Sequence, residues 1–310
     1  MNKISKAIDE YLALRRSLGF KLQDQENALH AFASFLKERG AFHITARLAV
    51  QWAKQPQGVL PAHWARRLSI VRGFAKFWSA TDLRSEIPPQ GLLPYRYVRR
   101  GPYIYTPGQI SQLVEAASHL PSQRDLRSWT YATFFGLLAV TGLRISEAIA
   151  LDREDVDLDQ GILTIRQTKF AKSRLVPVHA TTRRELRRYA QRRDQIYPRP
   201  ASPAFFLSDH GARVTQWAAR ATFIKISRQI GLRRPTDSHG PRVHDLRHGM
   251  AVRTLIQWYR AGLDIARQMP KLSTYLGHAH VSDTYWYISA TPELLRLASA
   301  RMARARGGRQ

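Results

Sequence analysis

Thr141–Val178 reads TGLRISEAIALDREDVDLDQGILTIRQTKFAKSRLVPV, and the fold turns on where its hydrophobic period changes. Just upstream, the strongly apolar stretch from about Trp129 to Val140 has the length and spacing of a buried helix. Gly142 is placed to end that helix, because glycine adopts the left-handed conformation that closes a helix at no steric cost. Arg144 then opens a short second helix. From Ile162 the period shortens: Ile162, Thr164 and Ile165 read as one strand and Arg174 to Val178 as another, closed by Pro177. The residues between them, Gln167 to Lys172, have the character of a hairpin turn. A helical chain is therefore interrupted once by a β-hairpin.

Working outward, the remainder is helical in pattern. From Asn2 to about Ala80 four helices are expected, carried by Ile4, Ile8 and Leu12, then Leu29, Phe32 and Leu36, then Trp52, then Trp64, Leu68, Val71, Phe74 and Trp78. Thr45 is a natural N-cap for the third. The fourth also carries Arg66, Arg67, Arg72 and Lys76, a candidate phosphate-facing surface. Ile87-Pro88-Pro89-Gln90-Gly91 and the basic stretch to Pro102 break the pattern. We therefore expect a helical domain over 1–87, a basic linker over 88–103 and a second domain over 104–310. That second domain starts with Thr106-Pro107, a cap followed by a proline suited to the first helical turn. An arginine-rich helix is expected over Thr182 to Asp194, and a basic tail over Arg296 to Arg309.

Composition narrows the partner. Forty-nine Lys and Arg against 23 Asp and Glu leave a net charge of +26. A surplus of that size repels itself unless a polyanion neutralises it, and nucleic acid gains affinity by releasing counterions in doing so. A membrane partner is not expected, since no apolar run approaches the ~20 residues of a spanning helix. The chain has no cysteine, which excludes disulfides and thiolate metal sites and suits a cytoplasmic location.

A scattered set of polar residues fits chemistry on a phosphodiester. Arg144 and Arg247 each offer a planar fork of donors that stays charged at any working pH and matches two phosphate oxygens. Arg247 follows His244 by three residues, so the two share a helix face. A lysine in the hairpin turn, Lys169 or Lys172, is suited to protonate a leaving oxygen. His244 and His278 titrate near neutrality and are suited to moving protons. Tyr285 or Tyr287 offers a nucleophile, provided that cations hold the phenolate. His244, His248, His278 and His280 are the alternative metal set. Without a cysteine, and with arginines among them, they make a poor divalent-cation site, so no metal and no cofactor is expected.

Four ordered motifs carry a resemblance: TGLRISEAIAL, KSRLVPV, HDLRHGMA and LGHAHVSDTYWYI. Together they resemble the tyrosine recombinases, or phage integrase family, from Thr106 to about Leu295. The resemblance implies a mainly α fold: a helical core-binding domain followed by a helical catalytic domain with a small antiparallel sheet, the DNA-breaking-rejoining architecture. It implies that Arg144, Lys169, His244, Arg247 and His278 are catalytic, that Glu147 supports Arg144, and that Lys169 is the general acid. Tyr287 matches the nucleophile by its distance from His278, with Tyr285 as the fallback. Tyr285-Trp286 is more aromatic than the family usually is at that place.

The implied activity is site-specific cleavage and rejoining of double-stranded DNA through a covalent 3′-phosphotyrosyl link, without metal or ATP. The implied assembly is four protomers, of one kind or with partner recombinases, on two paired sites. In many members the C-terminal segment docks on a neighbouring protomer; here that would be Pro292 to about Arg304, with a simple DNA-binding tail as the equal alternative. The opening helix resembles recombinases of mobile elements. Two other readings share the residues: a type IB topoisomerase that relaxes DNA, and a DNA-binding accessory protein without catalysis.

Overall fold

A computed structural model describes residues 3–20, 22–95, 101–166, 173–237 and 239–307. The chain divides into two compact units, Met1–Arg100 and Gly101–Gln310.

The first unit is helical. Its elements are α1 (Lys3–Ser17), α2 (Gln23–Glu38), α3 (Ala46–Ala53) and α4 (Pro61–Trp78). Their stripes meet in one core, with Ile8, Leu29, Phe32, Leu36, Leu68, Val71 and Phe74 fully buried. Thr45 caps α3 by accepting from the Leu48 N–H. The arginines of α4 are more occupied than an open basic face requires. The Arg67 guanidinium lies 3.7 Å from the Trp52 ring centre and donates to the Trp52 carbonyl. Arg72 donates to the carbonyls of Pro88 and Pro89, and Arg66 pairs with Asp24. Leu93 is buried in the same core, so the chain beyond residue 87 still packs on this unit. Proline carbonyls lack no acceptor capacity, and Arg72 uses them to hold the segment down.

The second unit is helical apart from one small sheet. Thr106 and Gln109 form a reciprocal capping box at the start of α5 (Pro107–Ser118). The apolar helix α6 (Arg127–Thr141) ends at Gly142, whose φ of 65° is left-handed. The short helix α7 (Ile145–Ala150) follows at once, with Arg144 as its N-cap. Strands β1 (Val156–Asp157), β2 (Ile162–Ile165) and β3 (Arg174–Pro177) then form an antiparallel sheet in the order β1-β2-β3. β1 was not expected; two residues are too few to carry a period. In the β2–β3 register Leu163 faces Val176 and Ile165 faces Arg174. Period two therefore places Arg174 on the inward side of β3 with the buried Val176.

Helices α8 (Ala180–Ile196), α9 (Gln216–Gln229), α10 (Val243–Arg260), α11 (Ile265–Leu276), α12 (Ser282–Tyr285) and α13 (Pro292–Gly307) complete the unit, with a 3-10 turn at Trp286–Ala290. Phe134, Phe135, Phe205, Phe206, Phe223 and Tyr189 pack edge-on and stacked in the main core. A second cluster joins α10 and α11 to the chain's end through Val252, Leu255, Met269, Leu276, Tyr287 and Leu294. α13 thus packs on α10 of its own chain: Leu294 is fully buried and Arg260 pairs with Glu293 at 2.7 Å. Among the described residues no helix is long and apolar enough to cross a membrane.

Candidate active site

Two helices of the second unit end on glycines in the left-handed conformation, α6 at Gly142 and α11 at Gly277. Each end presents carbonyls that have no partner within its helix and that carry the negative pole of the helix dipole. Two arginines take them up. Arg247, from the second turn of α10, donates to Gly142 O at 2.7 Å and to Leu276 O at 2.8 Å. Arg144 donates to Gly277 O at 2.9 Å. Arg247 is 2% exposed. Burial and then the Arg144 charge lower its pKa to about 10, so it remains charged at neutral pH.

Glu147 is the carboxylate between these cations. Its Oε1 accepts from Arg144 Nη1 at 2.6 Å and from Arg174 Nη1 at 3.1 Å. Its Oε2 accepts from the Arg144 backbone N–H at 2.9 Å and from Arg174 Nη2 at 2.8 Å. Burial alone pushes this carboxyl up. The hydrogen bonds and charge of Arg174, then those of Arg144, outweigh it and hold the pKa at about 2.

The histidines and the tyrosine occupy the same region. The rings of His244 and His248, one turn apart on α10, meet edge-on at 4.7 Å. His248 is buried, and its Nδ1 lies 3.3 Å from the hydroxyl of Tyr287. His278 follows Gly277 directly, stacks on the Tyr287 ring at 6.1 Å and shares a 2.7 Å hydrogen bond with the Thr284 hydroxyl through Nδ1. Desolvation, then the charges of Arg247 and Arg144, lower the His278 pKa to about 4. His244 keeps an exposed edge, yet desolvation and then Arg247 depress it as well. Both imidazoles are therefore neutral at pH 7. Tyr287 is 2% exposed, whereas Tyr285, two residues earlier, is 45% exposed.

Arg144, Glu147, His244, Arg247, His278 and Tyr287 are thus gathered into one site, although they span more than 140 residues of chain. Lys169, and its competitor Lys172, lie outside the described residues. Three participants were not anticipated. Arg174 looked like one more cation, although strand alternation aligns it with Val176. His248 drew notice only as a metal ligand, although it lies one helical turn after His244. Thr284 carries no signal by itself. Among the described residues no group of three or more His, Asp or Glu is placed to hold a metal ion.

Comparison with known proteins identifies the family and the fold. The family model described as "Phage integrase family" matches residues 104–293. Over 308 residues the chain is 49% identical to y4rB of Sinorhizobium fredii, named as an integrase/recombinase, covering 98% of each chain. It is 32% identical over 240 residues to the tyrosine recombinase XerD of Mycobacterium leprae, covering 75% of this chain and 71% of that one. Among solved structures, the Tn1549 transposon integrase in complex with transposon right end DNA shares the fold with a TM-score of 0.65 at 15% identity, covering 97% and 98%.

Proposed function

The chain belongs to the phage integrase family of tyrosine recombinases, and from that premise we propose that it cleaves and rejoins double-stranded DNA at specific sites through a covalent bond to Tyr287. The carrying observation is the pair of arginines, each anchored on a glycine-ended helix, beside a buried tyrosine that touches two histidines.

The chemistry follows from these groups. Arg144 and Arg247 hold the non-bridging oxygens of the scissile phosphate and stabilise the charge that grows there in the transition state. Their bonds to carbonyls fix the guanidinium planes beforehand, so little reorganisation is needed when DNA arrives. The Tyr287 hydroxyl gives its proton to a neutral imidazole, and its oxygen attacks phosphorus. The 5′-oxygen leaves and takes a proton from Lys169. The product is a 3′-phosphotyrosyl link and a free 5′-hydroxyl. That link keeps the energy of the broken diester, so a 5′-hydroxyl from another strand reverses the step without ATP. His278, with Nδ1 engaged by Thr284, has Nε2 to offer the phosphate.

The net charge of +26 supports DNA as the substrate. The likeness to a transposon integrase supports a role in moving a genetic element. Exchange of strands between two sites calls for four active sites, hence a tetramer on paired DNA, of one chain or with partner recombinases, acting in the cytoplasm. The test is a duplex nicked beside the scissile phosphate, which loses the short 5′-hydroxyl fragment after cleavage and strands the covalent complex. A denaturation-resistant protein–DNA band is expected. Its absence on every site that the protein footprints contradicts the proposal.

A further inference from the structure

We infer that Arg174 is a positioning residue for strand cleavage, holding Glu147 and through it Arg144 in the geometry that grips the scissile phosphate. The inference rests on the recombinase reading above and adds a residue to it. Arg174 occupies the inward side of β3 and its side chain is 9% exposed. All three of its nitrogens are committed to protein acceptors: Nε donates to Tyr275 O at 2.9 Å, and Nη1 and Nη2 fork across both oxygens of Glu147. The guanidinium is tied to Glu147 through both of its terminal nitrogens. It fixes the carboxylate that fixes Arg144.

Only a forked, planar donor can do this. Glu147 must accept from Arg144 and Arg174 on the same oxygen, and a lysine ammonium cannot span the two oxygens. The backbone makes room for the fork as well. A Cβ at Gly277 would lie 2.6 Å from Arg174 Nη1, and Gly277 O is the carbonyl that takes up Arg144. One glycine therefore serves both arginines, giving clearance to the first and an acceptor to the second. The arrangement joins β3, α7 and the end of α11.

The role predicts how cleavage depends on pH. Glu147 is faced by Arg144 from the start of α7, by Arg174 from β3 and by Arg247 from α10. With Arg174 gone, burial is opposed by Arg144 and Arg247 alone, so the Glu147 carboxyl moves up and its protonation releases Arg144 at a higher pH than in the unsubstituted protein.

Single-turnover adduct formation on the nicked duplex, with DNA affinity measured in parallel, tests the inference. Arg174→Met should slow adduct formation by about tenfold or more, the scale expected when a reacting group is misplaced by a fraction of an ångström. DNA affinity should stay within about twofold, because Arg174 meets protein acceptors only. The slow rate should fall further as pH is lowered, with an acid limb that sets in at higher pH than in the unsubstituted protein. In a Glu147→Gln background Arg174→Met should add little, since both changes break one linkage. Arg174→Lys keeps the charge and loses the fork; it is expected to retain the fold, slow adduct formation and show a weaker acid limb, and it carries the test if the methionine variant does not fold. Unimpaired rates, multiplicative effects with Glu147→Gln, or a parallel loss of DNA affinity each overturn the inference. If the unsubstituted protein forms no adduct, the recombinase reading falls and takes this inference with it; if it does and Arg174→Met matches it, the inference alone falls.

Discussion

The hydroxyl of Tyr287 lies 3.3 Å from Nδ1 of His248, with both side chains almost wholly removed from solvent. The phenol therefore packs against an imidazole within the C-terminal cluster of α10, α11 and α13. Replacing His248 by leucine removes one buried hydrogen bond, at a cost of about 1–2 kcal/mol in unfolding free energy. It should also slow adduct formation, because the phenol loses a contact that sets its position. Urea unfolding and single-turnover cleavage read the two effects separately; a variant equal to the parent in both contradicts the role given to the contact.

Glu147 should make stability depend on pH. Its folded pKa of about 2 lies below its ordinary 4.5, so ionisation favours the folded state. That contribution, on the order of 3 kcal/mol, is complete above about pH 4.5 and disappears as pH falls toward 2. Glu147→Gln should be less stable at pH 6 and should lose the acid-limb slope between pH 4.5 and 2. Urea midpoints measured across that range check it; parallel curves for the two proteins would count against the four-bond geometry.

Arg144→Lys and Arg247→Lys keep the charge and lose the fork. Each should lower the cleavage rate by about a hundredfold or more, while DNA affinity changes far less. The comparison of rate and affinity is the check. A loss confined to affinity means that the two arginines bind DNA without stabilising the transition state.

His278 should remain neutral through the physiological range. Its pKa is lowered to about 4 from 6.5, first by desolvation and then by Arg247 and Arg144. The unfolded chain takes up this proton below about pH 6.5 and the folded one only near 4, so this residue lowers stability as pH falls between those values. NMR titration of its ring protons in the DNA-free protein should show no inflection between pH 5.5 and 7.5. An inflection near 6.5 means that the ring is solvated and lies away from the arginines.

Much of this was legible in the chain. Helix stripes, the Thr45 and Thr106 caps, the Gly142 stop and the hairpin strands are local signals, and local signals survive in a single sequence. The HDLR spacing on α10 was readable for the same reason. Arg174 was hidden by number, as one of 49 basic residues, and its role depends on Glu147, 27 residues earlier, which only folding brings near. Distance from His278 favours Tyr287 over Tyr285 in the sequence, whereas their difference in burial is tertiary. That Leu294 of the C-terminal helix packs into the apolar cluster of α10 and α11 was not legible, because its partners there lie tens of residues away in the chain.

The account rests most heavily on the identity of the nucleophile. The direct measurement is tandem mass spectrometry of the protein trapped on the nicked duplex, after digestion of both protein and DNA. A nucleotide attached through the phenol of Tyr287, with the adduct abolished by Tyr287→Phe and preserved in Tyr285→Phe, is the predicted result. Attachment at Tyr285, or an adduct that survives Tyr287→Phe, would contradict it.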